Sequence, residues 1–358
     1  MDNTTRLGMD LWDFGDLVLK SRVFDAIRDG TSRYPIYRSL RFAAREDMLG
    51  LFDRLATQPG WRAQRLRSAE LLIDAEGLFM TAHGGAKPEY CSCGFSIWAD
   101  SVERAEAALA RISALVADTR MNEAMFSIDW HFITSKGQLE SAEIEELADD
   151  RLLDSAYPEI SGGVDNFVRR YLASHESVLV VQGPPGTGKT RLIRAILGAM
   201  SRQRGRQARA LYTGDTKSLE SDEIFVKFIT GWEDAFVVED ADHLLKPRAE
   251  GNEHLHRFLT IADGVVRSQG RKIVFSTNLP NVGDLDDALI RPGRCFARLN
   301  CRELTPAEAG RVVVELAPDD TAVQAHAKAA IAAHPRRTLS LATVYSLVTR
   351  AAEPMPTA

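Results

Sequence analysis

Residues 183–190 read Gly183, Pro184, Pro185, Gly186, Thr187, Gly188, Lys189 and Thr190, and they fit the spacing G-x-x-x-x-G-K-[ST] in full. Glycines at these places let the backbone curl until successive N–H groups point inward at phosphate oxygens. A helix starting near Lys189 would add its positive end to the same point. Lys189 then supplies a point charge for the β- and γ-phosphates, and Thr190 a hydroxyl ligand for Mg²⁺. The spacing therefore predicts a site for ATP and Mg²⁺.

Holding phosphate is not cleaving it. Cleavage needs carboxylates at the end of a neighbouring strand. The run "AFVVEDADHLL" places Glu239, Asp240 and Asp242 after the apolar stretch Ala235–Val238. Glu239 is assigned to the Mg²⁺ shell and Asp240 to polarising the attacking water. Asn278, at the end of "KIVFSTN", carries an amide that both donates and accepts, which suits orienting that water. Arg291 and Arg294 stand in "DDALIRPGR". A guanidinium brought to the γ-phosphate is worth ~10³–10⁵ in rate. Two arginines placed after every other part suit service to a neighbouring subunit's nucleotide, and hence a ring.

These groups need a scaffold. Ser177–Val181, Ala208–Tyr212, Ala235–Val238 and Lys272–Ser276 are largely apolar throughout, as expected of parallel strands buried on both faces. Helical patterns alternate with them. Residues 301–358 read as all-helical, in "TPAEAGRVVVELA", "TAVQAHAKAAIAAH" and "TLSLATVYSLVTRAA", the first with Thr305 as N-cap and Glu308 three later. Residues 1–156 read as a smaller α+β unit. In "YCSCGFSIWA" Cys91, Cys93, Phe95 and Ile97 share a face, and in "MFSIDWHFIT" Phe126, Ile128, Trp130 and Phe132 do. Between them Ala105, Ala108, Leu109, Ile112, Leu115 and Val116 recur at helical spacing behind Ser101. An earlier helix is expected over Leu40–Ala56. The acidic stretch Glu140–Asp150 leads to "AYPEISGG", which reads as a linker or hinge, and "VDNFVRRYLASH" as a short amphipathic helix. Three parts follow: 1–156, an α+β domain for partner or substrate recognition; 157–300, an α/β phosphate-loop core; 301–358, a helical lid.

Residues 157–350 resemble the AAA family of P-loop ATPases. Beyond the phosphate loop, "HRFLTIADGVVRSQGRKIVFSTNLPNVGDLDDALIRPGR" is similar to that family's second region of homology. The branch that contains the mitochondrial translocase of the Rieske iron–sulfur protein is most alike, since it also carries an inverted Glu-Asp pair, here in "VVEDAD". The resemblance implies an αβα core with a helical lid, and arginines acting in trans within a closed homo-oligomer, commonly a hexamer. Two departures stand out. The interval "YTGDTKSLESDEIFVKFITGWEDAF" has no aromatic–aliphatic–glycine tip of the kind that grips a threaded polypeptide, and Phe225 and Phe228 are spaced for core packing. The N-terminal segment resembles no family and shows no membrane anchor, so translocation across a membrane is not carried over.

The net charge of −6 gives no global positive field, which makes nucleic acid an unexpected partner. The start of the chain does not read as a signal peptide, no apolar run suits a bilayer, and cysteines are sparse; a cytoplasmic protein with free thiols is expected. Four weaker signals have plainer readings. Two cysteines on one strand face need only burial, so His83, Cys91 and Cys93 are not taken as a metal site. His131 reads as an exposed strand residue. Arg202, Arg204, Arg206 and Arg209 read as a solvated connection. Arg336 and Arg337, in the lid, stay unassigned. The leading expectation is a ring-forming ATPase that remodels a protein partner chosen by residues 1–156. The alternatives are a nucleotide-gated scaffold with slow turnover and a DNA-directed ATPase, either a loader or a transposition helper.

Overall fold

The computed structural model describes residues 11–148, 152–246, 255–262, 270–280 and 285–352. Residues 263–269 and 281–284 of the second homology region, and the chain's last six residues, lie outside them. The chain divides into two units, Met1–Glu123 and Ala124–Ala358.

In the first unit the strands β1 (Ile36–Ala44), β2 (Arg62–Arg67), β3 (Glu70–Ala75), β4 (Leu78–Ala86) and β5 (Cys91–Ala99) form an antiparallel sheet in the order β1-β5-β4-β3-β2. Period-two alternation gives it two apolar faces. Phe42, Cys91, Cys93, Phe95 and Ile97 pack with helices α2 (Met48–Ala56) and α3 (Val102–Leu115). Leu72, Phe79 and Trp98 turn the other way, with Val18, Val23 and Ala26 of helix α1 (Leu11–Ala26) against them. Ser101 caps α3, its hydroxyl accepting from the Arg104 N–H at 3.4 Å. The helix expected over Leu40–Ala56 is corrected. Leu40–Ala44 pair with Cys91–Phe95 as strand, and the helix begins only after Asp47, whose carboxylate accepts from the Gly50 N–H at 2.8 Å.

The second unit is an αβα sandwich. Its sheet runs β12-β8-β11-β10-β9-β6-β7, where β6 is Met125–Ile133, β7 Leu139–Leu147, β8 Val178–Gln182, β9 Ala208–Thr213, β10 Ala235–Val238, β11 Lys272–Thr277 and β12 Cys295–Asn300. Pairing is parallel from β12 across to β6, and β7 returns antiparallel to close the edge. Strand β8 shows why the sequence run is apolar throughout. Leu179 and Val181 enter the core of one face, with Leu192, Ile193 and Ile196 of α5 (Lys189–Arg204) and Val168 and Tyr171 of α4 (Val164–Ala173). Val178 and Val180 enter the other, with Ile224, Phe225 and Phe228 of α6 (Asp222–Thr230), a short α7 (Asp242–Leu245) and Phe258 of α8 (Leu255–Ala262). The lid helices are α9 (Pro306–Leu316), α10 (Thr321–Ala332) and α11 (Leu341–Ala352). Thr305 and Glu308 form the expected capping box on α9.

The boundary at 156 is corrected to 123/124. Strand β6 pairs in register with β9, Phe126 opposite Ala208 and Trp130 opposite Tyr212, so this strand belongs to the second unit. Most of the acidic stretch is strand too: residues 139–147 are β7, with Glu140, Glu143, Glu145 and Glu146 along it. The "AYPEISGG" stretch is no loose joint. Tyr157 is 1% exposed, and Asp154 just before it caps the next helix through the Val164 N–H at 2.7 Å. Strand β12, read from sequence as no element, ends the core and brings the chain alongside β8 before α9 starts behind Thr305.

Candidate nucleotide site

The phosphate loop leaves β8 and enters α5 through backbone that only glycine adopts easily. Gly183, Gly186 and Gly188 have φ of 149°, 78° and 93°. Space is as restrictive as torsion: a Cβ on Gly183 would lie 1.9 Å from the Cys301 carbonyl oxygen. The loop is braced from several sides. The Gly183 N–H donates to Thr277 O on β11, the Tyr157 hydroxyl donates to Gly188 O at 2.9 Å, and the Ala342 N–H of α11 donates to Gly186 O at 2.9 Å. The Thr187 hydroxyl donates to Pro184 O at 2.8 Å.

Lys189 is 8% exposed. Its ammonium donates to Gly183 O at 2.7 Å, Pro184 O at 3.1 Å and Asn278 Oδ1 at 2.8 Å. Burial lowers its pKa below the ordinary lysine value, while Asp240, Asp242 and Glu239 pull the other way. The Thr190 hydroxyl donates to Glu239 Oε1 at 2.7 Å, and the Tyr212 phenol donates to Glu239 Oε2. Asp240 is the one described residue other than glycine with positive φ, 48°. Its N–H donates to Ser276 Oγ at 3.2 Å, and its Oδ1 accepts from Asn278 Nδ2 at 2.9 Å. Asp242 is a fixed support, accepting from the Thr277 hydroxyl at 2.6 Å and the Asn278 N–H at 2.8 Å.

One cleft collects these groups. Pro185, Gly186, Gly188, Lys189, Thr190, Glu239, Asp240, Ser276 and Asn278 line it together with Leu341, Ala342 and Tyr345 of the lid, and its volume is about 590 Å³. That is room for a mononucleotide. Tyr345 stacks under the Arg191 guanidinium, 4.2 Å from ring centroid to Cζ, at the lid side. For Mg²⁺ the donor set fits: a hydroxyl and a carboxylate oxygen 2.7 Å apart are hard ligands, and this ion takes few from protein when phosphates supply the rest.

Two expected parts lie elsewhere. Arg294 sits at the far end of the sheet from the loop: its carbonyl accepts from Val178 N–H, where β8 begins, whereas the loop follows Gln182, where β8 ends. Four strand steps separate them by ~13 Å. Its guanidinium donates to Ala288 O, and Arg291 is exposed nearby; neither lines the cleft. Arg336 and Arg337 are exposed and do not line it either.

Two side readings change. His131 is buried, not exposed: its Nδ1 lies 2.9 Å from Asp129 O and its Nε2 3.3 Å from Lys227 Nζ. The basic connection is tied to one acid. Arg204 and Arg206 both pair with the carboxylate of Asp234, which also accepts from Arg209 N–H at 3.0 Å. Cys91 and Cys93 are buried free thiols, and Phe225 and Phe228 lie in an aromatic core with Phe236 and Phe258. Sequence reasoning missed Tyr212 and Tyr157. The available signal was a hydroxyl-bearing ring at the end, or just outside, of an apolar element, where a buried O–H needs a partner.

A strand, a glycine loop, a helix, and acids on the neighbouring strand define a P-loop nucleotide-binding protein. Residues 179–303 match the family model described as ATPase family associated with various cellular activities (AAA), and they are an AAA ATPase domain. Among curated proteins, an AAA-ATPase of Arabidopsis thaliana is 35% identical over 143 residues, 36% of this chain and 30% of the relative. The ATP-dependent zinc metalloprotease YME1 homolog of Caenorhabditis elegans is 31% identical over 186 residues, 48% of this chain and 23% of the relative. Peroxisomal ATPase PEX6 of Rattus norvegicus is 25% identical over 239 residues, 64% of this chain and 22% of the relative. The chain thus spans under a third of the length of these relatives.

Proposed function

We propose that this chain is one protomer of a ring, commonly six in such assemblies, that hydrolyses ATP and uses the cycle to remodel a protein partner. The observation that carries the reading is the separation of Arg294 from its own cleft. Lys189, Thr190, Glu239, Asp240 and Asn278 converge on one volume, while the arginines stand at the other end of β8, which supports service to a neighbour's nucleotide rather than their own. The first unit, revised to residues 1–123, is the candidate partner-binding part. The name of the Caenorhabditis elegans relative, an ATP-dependent zinc metalloprotease, is consistent with work on other proteins.

In the mechanism, loop N–H groups and Lys189 hold the β- and γ-phosphates. Lys189 exchanges its present carbonyl partners for phosphate oxygens, and Asn278 stays between it and Asp240. Thr190 and Glu239 would hold Mg²⁺, which when bound neutralises charge on the β- and γ-oxygens. Asp240 accepts a proton from the attacking water, and the Asn278 amide orients that water. A neighbour's Arg294, aided by Arg291, offsets charge that builds on the γ-phosphoryl group. The cycle reaches the lid through Ala342, whose N–H already contacts Gly186.

The segment after β9 supports remodelling without threading. Thr216–Glu220 is a tight turn with Ser218 and Leu219 buried, and Asp215 caps it through the Lys217 N–H. The free state of the four cysteines supports a reducing compartment such as the cytoplasm. The anchoring of Arg204 and Arg206 on Asp234 gives no support to a DNA-directed role. The test is ATP turnover of the full chain with and without proteins captured on the Asp240→Asn form loaded with ATP. Stimulation by a captured protein supports the remodeller; assembly in ATP with negligible turnover, unmoved by any captured protein, replaces it with the scaffold.

A further inference from the structure

The geometry assigns Tyr212 a positioning role: its phenol holds one carboxylate oxygen of Glu239 so that the other, beside the Thr190 hydroxyl, is presented to a divalent cation. This rests on the proposed Mg²⁺ role of Glu239 and Thr190.

The assignment grows from strand register. Tyr212 on β9 is opposite Val237 on β10, and Glu239 follows Val237 by two residues, so both side chains leave the same face of the sheet. The Glu239 N–H donates to Thr213 O at 3.0 Å, which continues the β9–β10 pairing as far as the carboxylate. The two carboxylate oxygens therefore have distinct partners, Tyr212 on Oε2 and Thr190 on Oε1. Tyr212 does not line the cleft, whereas Glu239 and Thr190 do, so the phenol acts through the carboxylate. Its ring is held from behind. Trp130, its register partner on β6, meets it edge to face with centroids 5.4 Å apart. A carboxylate left to rotate between its two oxygens is a poorer ligand than one fixed by an outer partner, and losing such a partner typically costs 10–100-fold in metal affinity.

The test uses the full chain, with ADP as the probe, titrated by calorimetry in EDTA and again in Mg²⁺. Tyr212→Phe removes one oxygen and keeps the ring against Trp130. The expected result is unchanged ADP affinity in EDTA and about a tenfold loss of the gain that Mg²⁺ confers. The Mg²⁺ concentration for half-maximal turnover should rise by a similar factor, with turnover recovering at saturating Mg²⁺. In a Glu239→Gln background the same substitution should change nothing further. An unaltered Mg²⁺ gain in Tyr212→Phe overturns the assignment, and so does an equal loss with and without Mg²⁺, which would mean a general loosening of the site. A parent chain with no Mg²⁺-dependent gain at all would instead remove the proposed metal role, and this inference with it.

Discussion

Asn278 lies between Lys189 and Asp240. Its Oδ1 accepts from the ammonium at 2.8 Å and its Nδ2 donates to the carboxylate at 2.9 Å, so the two partners fix which way the amide faces. Replacing it removes the link and leaves every phosphate-loop residue in place. For Asn278→Ala we expect kcat to fall by about 100-fold, in the range of other single polar contributors to a transition state. ATP affinity should stay within about threefold, because loop N–H groups and Lys189 are intact. Equal losses in binding and turnover, measured by calorimetry and steady-state assay, would contradict a role confined to the chemical step.

Asp240→Asn should trap ATP. Asn tolerates the left-handed backbone that Asp240 adopts at φ 48°, so folding is preserved and only the proton acceptor is lost. The expected outcome is an unchanged melting temperature, retained ATP and turnover reduced at least about 100-fold. Lys189→Ala is the contrasting control, with ATP binding itself lost. Filter retention of labelled ATP separates the two.

Arg294→Ala should be inactive alone and regain activity when mixed with Asp240→Asn. A mixed ring contains interfaces where an intact acid pair faces an intact arginine. Because the Arg294 guanidinium also bonds Ala288 O, circular dichroism must first show the variant folded. Turnover that stays flat across all mixing ratios would count against catalysis between protomers.

Gly183→Ala places a methyl group 1.9 Å from the Cys301 carbonyl oxygen, at a φ of 149° that side chains resist. Backbone must move on β12 or in the loop. A cost of about 2 kcal/mol or more is expected, which for a unit of this size lowers the melting temperature by roughly 4–8 °C. Nucleotide affinity should fall as well, since the first turn of the loop is displaced. Differential scanning fluorimetry with and without ADP reads both.

Lys272 gives a pH dependence with a definite sign. It is buried, it donates to Ser174 O at 2.9 Å and Glu176 O at 3.0 Å, and burial lowers its pKa from 10.5 to about 8. Between pH 8 and about 10 the unfolded chain holds the proton that the folded chain releases, so stability rises with pH from this residue. Lys272→Met lacks that contribution. The difference in melting temperature, parent minus variant, should therefore become more positive from pH 7.5 to 10; a flat difference would show that Lys272 keeps its proton.

How much of this was legible depended on range. The central strands could be read because Val178–Gln182 and Ala235–Val238 are apolar on both faces, a local consequence of burial in a sandwich. The phosphate loop could be read because its glycines answer torsional demands within eight residues. Strand β6 was visible as alternation, but nothing in alternation says which sheet a strand joins. Its partner is β9, some eighty residues later in the chain. Strand β7 was hidden by its own glutamates, which suit an outermost position and read alone as a solvated linker. Buried His131 went astray for a related reason: the residues that cover it, Asp129 and Lys227, meet only after α6 folds over β6. The roles proposed for Arg291 and Arg294 lie between chains, and no single sequence displays that geometry.

The acidic border strand has a consequence for crowded assemblies. An outermost strand offers unpaired amides and carbonyls to any passing chain, and carboxylates spaced along it repel a second copy of themselves. Glu140 and Glu143, exposed along it, make that margin self-avoiding. Copies brought to high local density are thereby steered away from zipping into a continuous sheet, which leaves surfaces other than this margin for orderly association.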